Sequence, residues 1–124
     1  MNQLTPASSG GGIYRPADFA TLTQALDYAA QGQAGLNFFS GKGDLQESLS
    51  YGALRDASQS IARRMRIAGL GQGERVAIIA ETDANFVRAF FACQYAGLVP
   101  VPMPLPMADF FLNQIGCLRS APLP

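Results

Sequence analysis

The chain has 124 residues and a mass of 13.2 kDa, with 48% apolar residues, 15% charged residues, and nine acids balanced against nine bases. That mixture excludes long intrinsic disorder, which needs low hydrophobicity and high net charge, and a dedicated nucleic-acid binder, which needs a basic stripe. There is no His and a single Lys, Lys42, so His-based acid/base catalysis, Cys/His zinc sites and Ser–His nucleophiles are excluded as well.

The N-terminus, MNQLTPASSGGG, has neither a basic start nor an apolar run, so it is no signal peptide. Residues 1–16 read as a flexible lead-in. From Asp18 a helical period begins: Phe19, Leu22, Leu26 and Ala29 share one face. Asp18 or Thr21 caps it, and Gly32 or Gly35 stops it. LNFFSG (36–41) reads as a short strand, GKGD (41–44) as a turn, and SLSY (48–51) as a second strand, together a hairpin or a neighbouring pair.

The next helix carries Leu54, Ala57, Ser58, Ile61, Ala62 and Met65 at helical spacing, with Ser50 as cap and Gly69 as stop. Arg55, Arg63 and Arg66 fall mainly off that face and are expected to meet water. GLGQGE (69–74) is a tight glycine connection. RVAIIAE (75–81) predicts a buried strand of a parallel sheet covered on both faces, because its apolar residues run without alternation.

Thr82 or Asp83 starts a third helix that runs to about Ala96 and ends at Gly97. Its residues Phe86, Val87, Phe90, Phe91, Cys93 and Tyr95 cover most of the circumference, which predicts burial inside something larger. Prolines at 100, 102, 104 and 106 remove donors on one edge of the following strand only, so the edge of Val99, Val101, Met103 and Leu105 is free to pair. The order strand–helix–strand over about 75–103 is one βαβ crossover, expected to be right-handed. The tail, 109–124, shows no continuing rhythm; Phe110, Phe111, Leu112 and Ile115 either form a helical turn or two or are apolar residues with nothing to pack on. No segment approaches the roughly 20 apolar residues of a membrane span. Cys93 reads as a buried free thiol, and two cysteines with no disulfide framework suit a cytoplasmic protein.

Few side chains suggest chemistry. Gly69, Gly71 and Gly73 follow a helix and precede a strand, the reverse of a dinucleotide loop, so they read as helix stop and turn. SGKGD (40–44) lacks phosphate-loop spacing and reads as a hairpin turn. Asp56 with Arg63, and Glu81, Asp83 with Arg88, read as solvated charges or weak ion pairs. Arg63, Arg64 and Arg66 read as a solvated helix face rather than a phosphate or carrier-protein contact. The stripe Phe86, Phe90, Phe91 and Tyr95 reads as core, with the wall of an acyl pocket as the alternative. No catalytic, cofactor-binding or metal-ligating residue is identified.

Several ordered pieces carry a resemblance. They are Ser50-Tyr51-x-x-Leu54 entering a helix, and Gly69-Leu70 with Gly73-Glu74-Arg75-Val76 before a strand. They continue with Tyr95-Ala96-Gly97 ending an apolar helix, then Val99 with Pro100 and Pro102. Together with TLTQALDYAA and LNFFSG they resemble, over about residues 19–108, the N-terminal part of adenylate-forming ligases, and most of all the fatty-acyl-AMP ligases. The resemblance implies an α/β fold: an incomplete N-terminal portion of the ligase large domain, over 17–108, with an atypical tail. It implies the family reaction, in which ATP with Mg²⁺ activates a fatty acid to an acyl-adenylate and the acyl group passes to the phosphopantetheine thiol of an acyl carrier protein, or to coenzyme A in related synthetases. The family's phosphate loop, its later acidic and aromatic motifs and its lid lysine have no counterpart here, so no cofactor is expected on this chain alone and no catalytic residue is carried over. The match ending abruptly near Ala108 leads to the expectation of a truncated or frame-shifted form, inactive alone, that self-associates through exposed apolar surface. The rival expectations are a small α/β module that binds an acyl chain or a carrier protein, and a piece that docks on a separately encoded ligase remainder.

Overall fold

The structure, a computed structural model, describes residues 15–105. The lead-in up to residue 14, the tail from Asp109 and Cys117 lie outside the described residues. Seven elements follow in order: α1 (Leu22–Ala29), β1 (Gly35–Phe39), β2 (Leu45–Ser50), α2 (Tyr51–Ile67), β3 (Arg75–Ile79), α3 (Ala84–Ala96) and β4 (Val99–Met103).

The first helix starts later than its apolar period. Thr21 is extended and its hydroxyl accepts from the Gln24 backbone N–H at 3.2 Å, which makes Thr21 the cap. Phe19 therefore precedes the helix and packs back on Tyr28, with ring centroids 5.4 Å apart. The Arg15 guanidinium lies 4.3 Å above the Phe19 ring, a cation–π contact at the end of the lead-in.

β1 and β2 form an antiparallel hairpin. The Ser40 hydroxyl accepts from the backbone N–H groups of Lys42 and Asp44, and Gly43 takes a φ of +89°, so SGKGD closes as a turn. The register shifts between Phe38 and Phe39, so β2 reaches back to Leu45 and ends at Ser50, with Tyr51 already helical. The strands meet closely at Gly35: a Cβ there would stand 2.3 Å from the Leu49 carbonyl oxygen.

The second helix begins as its sequence demands. Ser50 is extended and its hydroxyl accepts from the Ala53 N–H at 3.1 Å. Leu54, Ser58 and Ala62 are its buried positions. Ala68 and Gly69 (φ +94°) end it. Gly73 at φ +83° then turns the chain, and its N–H donates to the Gly97 carbonyl at 2.8 Å.

β3 and β4 are parallel, Arg75 to Val99 through Ile79 to Met103, with α3 between them in sequence. The Val99 N–H donates to the Glu74 carbonyl at 2.8 Å. Donors alternate sides along an extended chain, so Pro100 and Pro102 have their nitrogens on the far side. The Asp83 side chain accepts from the Phe86 N–H at 2.9 Å and caps α3, and Gly97 ends it in the left-handed conformation at φ +73°. The expectation of a β3 covered on both faces is not met among the described residues. β4 is its one paired strand among the described residues, and Ile78 is its one buried position. A two-stranded sheet offers too little surface to bury every side chain of a five-residue apolar run.

Two apolar clusters hold these pieces. One gathers Ala62, Ile78, Cys93, Ala96 and Leu98; the other gathers Leu26, Leu49, Leu54 and Ala84. α2 crosses α3 on small residues, and the fully buried Ser58 hydroxyl donates to the Arg88 carbonyl of α3 at 3.2 Å. Small side chains let the two backbones approach, and the hydroxyl is satisfied at the crossing. Cys93 is a buried free thiol, as its apolar setting predicts.

Candidate functional site

Tyr95 stands on the last turn of α3, against both clusters. Its hydroxyl donates to Asp27 Oδ1 at 2.6 Å. The same oxygen accepts from Arg55 Nε at 2.7 Å, so one carboxylate joins α1, α2 and α3. Burial pushes the Asp27 carboxyl upward, but the Tyr95 hydroxyl and the Arg55 guanidinium together outweigh it and hold the group below its ordinary value. Burial, reinforced by the neighbouring carboxylate, pushes the Tyr95 hydroxyl well above the usual tyrosine range. The hydrogen bond to Asp27 is the chief reason the Arg55 guanidinium holds its proton more firmly still. A carboxylate oxygen shared by a guanidinium and a protonated phenol makes a fixed polar joint between helices.

Other charges bind elements together in the same way. Arg88 pairs with Glu47, tying α3 to β2. The Arg66 side chain donates to the Tyr95 carbonyl at 2.9 Å, at the end of α3. Of Arg55, Arg63 and Arg66, expected to meet water, Arg63 and Arg66 are exposed, whereas Arg55 is half-buried and bonded to Asp27.

The aromatic stripe divides. Phe86 and Phe90 pack against the cluster around Cys93, with ring centroids 6.2 Å apart; Phe91 packs against the cluster around Leu54, edge-on to Phe90 at 5.8 Å. Tyr95 also borders an opening. A shallow cleft of about 190 Å³ lies between Gln59, Ala62, Arg63, Arg66 and Tyr95, and a wider depression, also against Arg66 and Tyr95, continues past Gln72, Gln94 and Gly97. Both are wide open to solvent, with polar groups at the rim.

The described residues do not fit a nucleotide or Mg²⁺. The glycine turn at 69–73 lies between a helix and a strand, and the Gly71 N–H already donates to Glu74 Oε2 at 2.6 Å. Among the described residues no three His, Cys, Asp or Glu side chains group as a cation site would require.

The Asp27–Arg55–Tyr95 joint escaped the sequence reading. Its signals were present: Tyr95 was placed on a buried stripe, and a buried tyrosine hydroxyl needs a partner. Nothing in the spacing named Asp27, 68 residues away, as that partner.

Comparison with known proteins places this architecture. Residues 26–109 match the pattern of a family described as AMP-binding enzyme. A Caulobacter vibrioides protein that bears an acyl-CoA synthetase name is 55% identical over 123 residues, covering 95% of this chain and 21% of that protein. A medium-chain fatty acid acyl-carrier-protein ligase of Moorena producens is 30% identical over 93 residues, covering 72% of this chain and 15% of that one. A solved structure from a study of fatty acyl-adenylate ligases of E. coli and L. pneumophila superposes with a TM-score of 0.73 at 49% identity, over 78% of this chain and 18% of that one. The chain thus spans about a fifth of the length of the first relative. Among the described residues no helix is long and apolar enough to cross a membrane.

Proposed function

Since this chain belongs to the AMP-binding enzyme family, we propose that it supplies the opening scaffold of a fatty-acyl-adenylate-forming ligase and none of the reacting groups. The reaction served is the ATP-dependent activation of a fatty acid, with Mg²⁺, to an acyl-adenylate, followed by transfer to a carrier-protein thiol. The observation that carries this reading is the joint agreement of 49% identity and a TM-score of 0.73 with a fatty acyl-adenylate ligase structure. The Moorena relative, a ligase that loads a medium-chain fatty acid on a carrier protein, supports the same acceptor. The setting is the cytoplasm, where two cysteines outside a disulfide framework are at home. The likeness to the Caulobacter protein takes in most of the lead-in and the tail alike, which argues against a shifted reading frame after Ala108.

The scaffold's contribution is positional. α2 and α3 cross on small side chains, and the charged joint at Asp27 fixes their ends to α1. Nucleotide and acyl chemistry in such a ligase falls to segments beyond those matched here. The four aromatic residues Phe86, Phe90, Phe91 and Tyr95 serve as core in this reading rather than as acyl-pocket wall.

The test is a transplant. The corresponding segment of the Caulobacter relative is replaced by this chain, and fatty-acid-dependent exchange of pyrophosphate into ATP is measured. The hybrid is expected to retain exchange. A folded hybrid that binds ATP but activates no fatty acid, when its parent does, would overturn the proposal.

A further inference from the structure

Charge is neutral overall but unevenly spent. Among the described residues, Arg15 pairs with Asp18, Arg55 with Asp27 and Arg88 with Glu47. Asp83 caps α3, and Glu74 accepts the Gly71 N–H. Three arginines in the last two turns of α2, Arg63, Arg64 and Arg66, are exposed and have no acidic partner among the described residues. Arg66 meets only the Tyr95 carbonyl.

An apolar side chain sits among them. Ile67 is 86% exposed. It lies four residues after Arg63 and three after Arg64, so both flank it on the helix surface. Arg66, two residues after Arg64, lies toward the other side of the helix, where it and Gln59 border the cleft of about 190 Å³ against Tyr95. Basic residues in a final turn offset the helix dipole, which accounts for Arg64 and Arg66. It accounts neither for Arg63, one turn earlier, nor for a β-branched side chain left in water.

We propose that this face of α2 is a docking surface for an acidic peptide segment, whose carboxylates meet Arg63 and Arg64 while an apolar side chain covers Ile67. Charge complementarity selects the occupant. Two cations on a chain of zero net charge are too few for a nucleic-acid backbone, and one isoleucine is too little apolar area for a lipid surface. The inference is independent of the ligase reaction.

The full chain is titrated with a fluorescein-labelled peptide that carries Glu and Asp around leucines at helical spacing, and anisotropy is followed. Saturable binding is expected, weakening about tenfold or more from low to physiological salt. The double variant R63E/R64E, changed only at exposed positions, is expected to lose about tenfold or more in affinity, and Ile67→Ser about threefold. Circular dichroism verifies that each variant is folded; if the double reversal unfolds the chain, Arg63→Gln and the salt titration decide in its place. Absence of saturable peptide binding would overturn the proposal, as would affinity indifferent to these substitutions and to salt. So would tighter binding to an oligonucleotide of equal charge or to phosphatidylserine vesicles.

Discussion

The hydroxyl of Tyr95 reaches Asp27 at 2.6 Å, so the end of α3 is fastened to α1 across most of the described chain. This bond links residues 68 apart in sequence, and it shares its acceptor oxygen with Arg55. Removing the hydroxyl while keeping the ring isolates it. Tyr95→Phe is expected to lower stability by about 1 kcal/mol, moderate because Asp27 is partly exposed. Urea unfolding of Tyr95→Phe, Asp27→Asn and the double variant measures the coupling; strictly additive effects would refute the link.

The same joint sets a pH dependence. The folded Asp27 carboxyl titrates below its ordinary value of 3.8. Its contribution is therefore complete above that value and is lost as pH falls toward the lower folded value. The folded Tyr95 hydroxyl titrates above its ordinary value of 10.0, so its contribution is complete below that pH and is lost as pH rises beyond it. Urea midpoints measured across both limbs should fall at each end. Asp27→Asn should flatten the acid limb and Tyr95→Phe the alkaline limb; an acid limb unchanged by Asp27→Asn would show that other carboxyls dominate it.

Glycines in this chain differ sharply in what they can tolerate. At Gly35 an added Cβ would meet the Leu49 carbonyl oxygen at 2.3 Å, backbone that cannot swing aside. Gly35→Ala is expected to cost about 1–3 kcal/mol and to loosen the hairpin. At Gly41 nothing lies within 4 Å and no left-handed conformation is required, so Gly41→Ala is expected to be neutral or mildly stabilising, by up to about 1 kcal/mol. Chemical denaturation of the pair tests the contrast, and equal costs would contradict it.

Leu54 is fully buried between α2 and the hairpin cluster. Leu54→Ala is expected to cost about 2–5 kcal/mol, a large part of a typical domain's stability. A thermal midpoint within a degree or two of the parent would show that this cluster contributes little.

Cys93 gives a reporter of opening. It has no exposed surface, and burial pushes its thiol up, so the native chain should react slowly with a thiol reagent and quickly in urea. Fast labelling without denaturant would mean that the α2–α3 interface opens readily.

What was legible in the sequence was local. Ser50 and Asp83 are side chains that accept a backbone proton three residues on, and Gly97 ends its helix in a conformation that favours glycine, so those boundaries could be read directly. The two-residue spacing of Pro100 and Pro102 fixed which side of β4 could pair. Harder was the start of α1, where Phe19 fits the apolar period yet lies outside the helix, because Thr21 captures the Gln24 N–H first. Burial of β3 was overstated, since an apolar run reports what a strand could bury and not what neighbours it has. The Asp27 joint was hidden because hydrogen bonds between residues far apart leave no period. The charged face of α2 was read as solvated; only the tally of partners around the fold marks Arg63, Arg64 and Ile67 as unspent.

The prolines of β4 have one more effect. With Pro100 and Pro102 turned outward, that flank cannot form a regular hydrogen-bonded ladder, so the parallel pair can grow in one direction only. Any incoming strand, from the same polypeptide or a foreign one, must line up beside Val76–Ile79, and fibril-like stacking from both sides is blocked at the outset.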